Sequence, residues 1–183
     1  MHWGNCSKEV IMKKFLLLGI ALLLTTSVQA AYVLPYPSYM PGNKLYAASR
    51  VLDRLKSYWY RGSIAQFKYR LSLADKYLVE AKTLFEYDQY LLAVDSLKRS
   101  NQNVQLLPSF VQMAKQEGKD TVQLEATLQE AMGVHTLVLQ ELEARLPREF
   151  TWQPEKEAPT VIPISQLLIQ ARQERVKLQT HVQ

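Results

Sequence analysis

The chain is poor in the residues that build most recognisable sites. It has one cysteine, Cys6, in 183 residues, so no disulfide can form within it and a disulfide scaffold is excluded. Three histidines and a lone thiol leave few ways to hold a transition metal. A nucleophile elbow, a phosphate loop, a dinucleotide fingerprint and a HExxH zinc helix are all missing. The pronounced apolar run, Phe15 to Leu24, is ten residues, whereas a spanning helix needs about 20.

That run belongs to a targeting segment. From Met12, "MKKFLLLGIALLLTTSVQA" has a basic start at Lys13 and Lys14, an apolar core, and a polar end with small residues at Val28-Gln29-Ala30. This is the pattern of a signal peptide, with cleavage expected after Ala30 and Met12 as the true start. Cys6 then falls outside the product. The alternative is an uncleaved segment 15–30 that anchors the chain in a membrane. The expected location is periplasmic or secreted.

The remaining chain, Ala31 to Gln183, carries 19 basic and 16 acidic residues, net +3. The charge is uneven: Ala31 to Lys82 has nine basic against three acidic residues, and the rest ten against thirteen. All ten tyrosines lie between Tyr32 and Tyr90, among the excess cations. A basic, tyrosine-rich surface suits an anionic lipid headgroup, a wall polymer or an envelope protein. Export makes nucleic acid the poorest candidate.

Apolar spacing predicts an all-α protein, an antiparallel bundle of about four long helices in 43–146. Before it, Pro35, Pro37 and Pro41 exclude a helix from 31–42, which reads as an extended arm whose tyrosines bury in a groove. Asn43 is a good N-cap, and Leu45, Ala48, Leu52, Leu55 and Trp59 form one stripe at steps of three and four. Gly62 stops this helix. The next opens at Ser63 and carries Ile64, Phe67, Leu71, Ala74, Leu78, Ala81 and Phe85 at the same spacing, which predicts lengthwise packing. Asp88 is placed to cap the helix that follows. Ser100, Asn101, Gln102 and Asn103 dilute that third helix, and Pro108 should bend or restart it. "EGKD" turns at Gly118, Asp120 and Gln123 resemble a capping box, and Leu124, Leu128, Ala131, His135, Val138 and Leu142 make the fourth stripe. Four prolines from Pro147 to Pro163 indicate an extended linker, with Trp152 as a docking point. A C-terminal amphipathic helix over 164–183 carries Ile164, Leu168, Ala171, Leu178 and Val182, and either packs back or meets a partner.

His135 is the one polar residue on an apolar stripe. Met132, one turn away, points to the same side, so the two cannot take opposite faces of a haem iron; a core or interface role is expected, with a haem or metal ligand as the remote alternative. Glu141 and Glu143, two apart on a helix, diverge, and no Glu-x-x-His pair of a di-iron bundle occurs. We expect no enzyme, no cofactor and no metal. The candidate contact surface is Arg54, Tyr58, Tyr60, Arg61, Arg70, Tyr87 and Tyr90. For these aromatics, core and rim packing is the plainer reading.

Two blocks carry a resemblance, "LPYPSYMPGNKLYAASRVLDRLK" and "YRLSLADKYLVEAKTLFEYDQYLLAVDSLKRS". A proline-led start, Pro41 followed by Leu45-Tyr46, and then Leu73-Ala74, Leu78, Glu80-Ala81, Tyr90 and Ala93 resemble the exported bacterial helical family known as domain of unknown function 5667. The resemblance implies a helical fold and an envelope location, and supplies no activity. The helical hairpin also echoes tetratricopeptide arrays, but no second copy occurs at a period of about 34. The expected function is binding or scaffolding in the cell envelope without catalysis, with a possible homodimer. The alternative is a periplasmic chaperone or stress adaptor.

Overall fold

A computed structural model describes residues 31–180. The expected signal segment, with Met12, Cys6 and the 15–30 run, lies outside the described residues, as do His181 and Val182. The elements in order are α1 (Lys44–Trp59), α2 (Ser63–Glu86), α3 (Tyr90–Gln116), α4 (Val122–Arg145), β1 (Phe150–Trp152), β2 (Thr160–Ile162) and α5 (Ile164–Thr180). No helix among the described residues is long and apolar enough to cross a membrane.

The protein is an all-α bundle, built from two helical hairpins. In the first, α2 runs against α3 along nearly its whole length; in the second, α4 runs against α5, and the two hairpins close face to face. The stripe on α2 is the reason: Phe67, Ala74, Leu78, Ala81 and Phe85 are all buried, and the alanines let α3 approach closely. The last helix therefore docks, and it supplies the fourth bundle position. The bundle proper is α2 to α5, and α1 lies outside it.

Two apolar layers fill the interior. One gathers Phe67, Leu71, Val104, Leu107, Leu128 and Met132. The other gathers Leu78, Phe85, Leu97, Leu139, Ile164 and Leu168. Each such side chain contributes about 1.5–3 kcal/mol on leaving water. Asp75, Ser100, His135 and Arg175, one from each bundle helix, lie in sequence between the members of the two layers and are buried themselves.

The helix ends follow local chemistry. Asn43 accepts from the Leu45 N–H at 2.9 Å and caps α1, as its position predicts. Asp88 does not cap α3. It adopts a left-handed φ of 57° and closes α2 instead, with Gln89 N–H bonded to Leu84 C=O and Asp88 N–H to Phe85 C=O, the paired bonds of a Schellman motif. Its carboxylate accepts from the Tyr90 hydroxyl at 2.8 Å. Gly118 closes α3 in the same way, at φ 70°. Asp120 accepts from Val122 N–H at 3.0 Å rather than forming a capping box with Gln123.

Two further expectations are corrected. Pro108 does not restart the helix: it sits within one continuous α3, with Leu107 and Val111 buried on either side of it. The 147–163 linker is extended but folds back on itself: β1 pairs antiparallel with β2, Phe150 opposite Ile162. Phe150 then packs on Tyr90 at 4.8 Å, while Trp152 stays on the exposed edge.

Candidate functional site

The first helix is turned the opposite way from the sequence expectation. Leu45, Leu52 and Leu55 are about half exposed, at 52, 54 and 49%, and Trp59 is 80% exposed. No residue of α1 is buried. The face turned to the bundle is the polar one. The Tyr46 hydroxyl donates to Glu80 Oε1 at 2.7 Å, Lys76 donates to Ser49 at 3.1 Å and pairs with Asp53, and the Tyr69 hydroxyl donates to the Asp53 carbonyl. The cause lies in α2. Its apolar stripe is already consumed by α3 and α4, and the side left for α1 presents Tyr69, Lys76, Tyr77 and Glu80. A polar helix face matches that surface, so the apolar stripe faces outward.

Glu80 is 2% exposed and receives a second hydroxyl, Ser96, at 2.7 Å, so α1 and α3 share one buried carboxylate of α2. Among the described residues its Oε2 has no hydrogen-bond partner. Burial and Glu80 together push the Tyr46 phenol above its ordinary range, and burial with Asp53 pushes Tyr69 up to about 12. Both phenols stay protonated and keep donating.

Between α1, α2 and α3 lies a groove of about 420 Å³. Arg50 and Arg54 reach it from α1, Arg70 from α2, and Lys98 and Arg99 from α3, against the carboxylates of Asp53 and Asp95. Tyr69, Leu73 and Tyr77 form a packed cluster of their own along it.

A second polar constellation is sealed in the bundle. Arg175, wholly buried, donates Nε–H to His135 Nδ1 at 3.3 Å, Nη1–H to Asn101 and to the Ala171 carbonyl at 2.8 Å each, and Nη2–H to Ser100 at 3.0 Å. Because His135 Nδ1 accepts, its proton resides on Nε2, which donates to Asp75 Oδ1 at 2.7 Å. Asp75 Oδ2 accepts from the Tyr32 hydroxyl of the N-terminal arm at 2.5 Å. A neutral imidazole thus bridges a buried cation and a buried anion. Burial holds the His135 pKa below its usual value, with the Asp75 hydrogen bond opposing and Arg175 reinforcing. Burial also lowers Arg175, to about 10. Ser100 donates to the Ala74 carbonyl at 2.8 Å rather than to His135, so the Asp, His and Ser present here do not form a nucleophile and its base.

The residues singled out from the sequence are therefore not one patch. Arg54 and Arg70 share the groove. Tyr60 stacks on Tyr69 at 4.8 Å, with Arg61 beside it at the open turn before α2. Tyr58 points to solvent, 77% exposed. Tyr87 and Tyr90 lie at the far end of α2, about 36 Å away for 24 residues of helix. His135 is in the core, tied to Asp75 and Arg175. Among the described residues no cluster of three or more potential metal ligands occurs. Of the arm tyrosines expected to bury, Tyr32 does so in part, while Tyr36 and Tyr39 are exposed. Asp75 and Arg175 escaped the sequence reading, although Arg175 carried a signal: it occupies the position between Ala171 and Leu178 that the last helix's stripe requires.

The model of a family described as Domain of unknown function (DUF5667) matches residues 38–149, more than half of the chain. The chain belongs to that family. The matched region holds α1 to α4 with the groove and Glu80, while Tyr32 and Arg175, the two ends of the buried polar chain, fall outside it. No curated protein and no solved structure matches.

Proposed function

We propose that this protein is a non-catalytic, exported helical bundle that binds in the cell envelope, and that α1 is the element that makes contact, lying on an anionic membrane surface. The outward apolar stripe of α1 carries this reading. Leu45, Leu52, Leu55 and Trp59 are on one face, and Lys44, Arg50, Arg54 and Lys56 lie along the same helix with Asp53 as its one acid. Apolar face out, cations along the flanks and a Trp at the end are the features of a helix that lies in a lipid interface. A bundle that only needed α1 for stability would bury the stripe.

The test uses residues 31–183 and two vesicle compositions, phosphatidylcholine alone and phosphatidylcholine with phosphatidylglycerol. With Trp152→Phe, Trp59 is the chain's remaining indole after Ala30. We expect a blue shift of Trp59 emission and co-flotation with the anionic vesicles, both lost in Leu52→Gln/Leu55→Gln. Equal, weak association with both compositions would overturn the reading. Expression from Met12 with intact-mass measurement tests export separately: a product beginning at Ala31 supports it, and a full-length product in the membrane pellet supports the anchored alternative.

A second reading draws on the same exposed stripe. An apolar helix face beside cations can also shield unfolded clients, as a periplasmic chaperone or stress adaptor would. Suppression of aggregation at stoichiometric amounts, without vesicle binding, would favour it.

A further inference from the structure

The groove between α1, α2 and α3 has five cations in its lining and two carboxylates, and the carboxylates are engaged: Asp53 with Lys76, and Asp95 with Arg99. Arg50, Arg54, Arg70 and Lys98 form no ion pair among the described residues. Arg50 rests over the Tyr46 ring at 5.9 Å, and Arg70 has one long bond, 3.4 Å, to Asn103. Among the described residues, Arg70 Nε and Arg99 Nη1 are buried donors with no hydrogen-bond partner. Buried donors of this kind are rare in a folded protein. Here two of them belong to guanidinium groups at one concavity.

Surface cations usually point into water. Four guanidinium groups and an ammonium from three different helices instead converge on a recess whose wall is aromatic. The size, about 420 Å³, lies in the range of small-molecule sites, and guanidinium forks match the oxygens of a phosphate group in pairs. We infer that this groove binds the phosphate of a phosphomonoester or phosphodiester. Arg70 and Arg99 supply the fixed donors, Arg54 and Lys98 close over the anion from either side, and the α1 polar face holds the wall that carries Arg50 and Arg54. The inference rests on the membrane reading only for the origin of the phosphate: a lipid headgroup presents it beneath a helix lying on the bilayer, and a soluble ester presents it from solvent.

The experiment follows the thermal midpoint of residues 31–183 in inorganic phosphate and in soluble glycerophosphoglycerol, each matched in ionic strength with chloride. Ligand that binds only the folded state raises the midpoint with concentration. We expect both probes to raise it, Arg54→Gln/Lys98→Gln to abolish the rise, and Arg70→Lys, which keeps the charge and loses the fork, to weaken apparent affinity about tenfold, one Arg-specific contact. Arg54 and Lys98 are exposed, so their double variant retains the fold. No rise beyond chloride in the wild-type chain, or an equal rise in Arg54→Gln/Lys98→Gln, would overturn the inference. The vesicle arm separates it from the function proposed above. Anionic vesicles bound without any response to the soluble probes would leave membrane binding standing and remove the phosphate site. A response to the soluble probes with no vesicle binding would keep the site, assign it to a soluble ester, and remove the membrane reading. Vesicle binding weakened by both Leu52→Gln/Leu55→Gln and Arg54→Gln/Lys98→Gln supports the headgroup as the source.

Discussion

Replacing Arg175 with Met keeps the volume of a long side chain and removes the cation from the bundle interior. Four hydrogen-bond partners lose their donor: His135, Asn101, Ser100 and the Ala171 carbonyl. Asp75 then remains buried with no cation behind His135. Breaking one side of a buried charge arrangement costs about 3–5 kcal/mol, a large part of the roughly 5–15 kcal/mol that holds a domain folded. For a domain of this size that corresponds to a fall of about 6–20 °C in the thermal midpoint at pH 7.5. The loss has a second signature. In the native protein Arg175 helps to keep His135 neutral; without it, His135 gains a proton more readily and becomes the counter-ion that Asp75 lacks.

The sign follows from linkage. A histidine whose folded pKa is lowered below 6.5 costs the native protein stability as pH falls below 6.5, because the unfolded chain takes the proton first. In Arg175→Met the folded pKa rises, so that loss shrinks or reverses. The stability gap between native protein and variant should therefore narrow between pH 7.5 and 5.5, by up to about 1.4 kcal/mol per pH unit below the unfolded pKa. Guanidinium unfolding followed by circular dichroism at the two pH values measures both numbers. A loss under about 1 kcal/mol at pH 7.5, or a gap independent of pH, would refute the account of a neutral imidazole bridging two charges.

Other substitutions probe the rest of the structure. Acidification of the native protein from pH 7.5 to 5.5 should lower its stability, and His135→Gln should flatten that dependence; an unchanged slope in the variant would assign the effect elsewhere. Tyr32→Phe removes a hydrogen bond to a carboxylate and should cost about 1.5–3 kcal/mol, with faster proteolysis of the 31–42 arm as its local readout. Asp88→Gly relieves a left-handed residue at the α2 terminus, and the gain of about 1 kcal/mol, reduced by the lost bond to Tyr90, should appear as slower unfolding or a higher midpoint. Amide exchange should be faster throughout α1 than in α2, since α1 is held by polar contacts over an exposed stripe, and Tyr46→Phe should accelerate α1 without altering α2.

How legible these features were depends on what periodicity reports. The 3-4 spacing from Phe67 to Phe85 states both that α2 is a helix and that it needs a long partner, and both hold. The same kind of spacing in α1, from Leu45 to Trp59, states that an apolar face exists. It does not state that this face is turned inward, and here the inner surface was decided by what α2 had left to offer. Arg175 was hidden by reading stripes as apolar: its position completes the steps Ile164, Leu168, Ala171, 175 and Leu178, and a charge in that register signals a polar layer. Ser100 and Asn101 are the matching half of that signal. They look like an interruption of α3, yet they are the side chains that hold the guanidinium.

The two polar clusters constrain the molecule differently, and that difference ties the fold to the surface proposed for contact. The buried chain from Tyr32 through Asp75 and His135 to Arg175 takes one residue from the arm and from three of the bundle helices, with Ser100 and Asn101 from the fourth. Hydrogen-bonding geometry permits one register for such a set, whereas the alanine- and leucine-lined layers above and below it would tolerate sliding by a turn. That register also fixes Glu80, a turn and a half along α2 from Asp75. Glu80 and its neighbours Lys76 and Tyr69 are what seat α1 with its polar face inward. Loss of the buried layer should therefore loosen α1 as well as the core, although the hydrogen bonds of that layer run to the arm and within the bundle rather than to α1, and Arg175→Met should accelerate amide exchange in α1 even under conditions where the bundle remains folded. Exchange in α1 that is unaffected by Arg175→Met would mean that α2 alone sets the orientation of its polar flank.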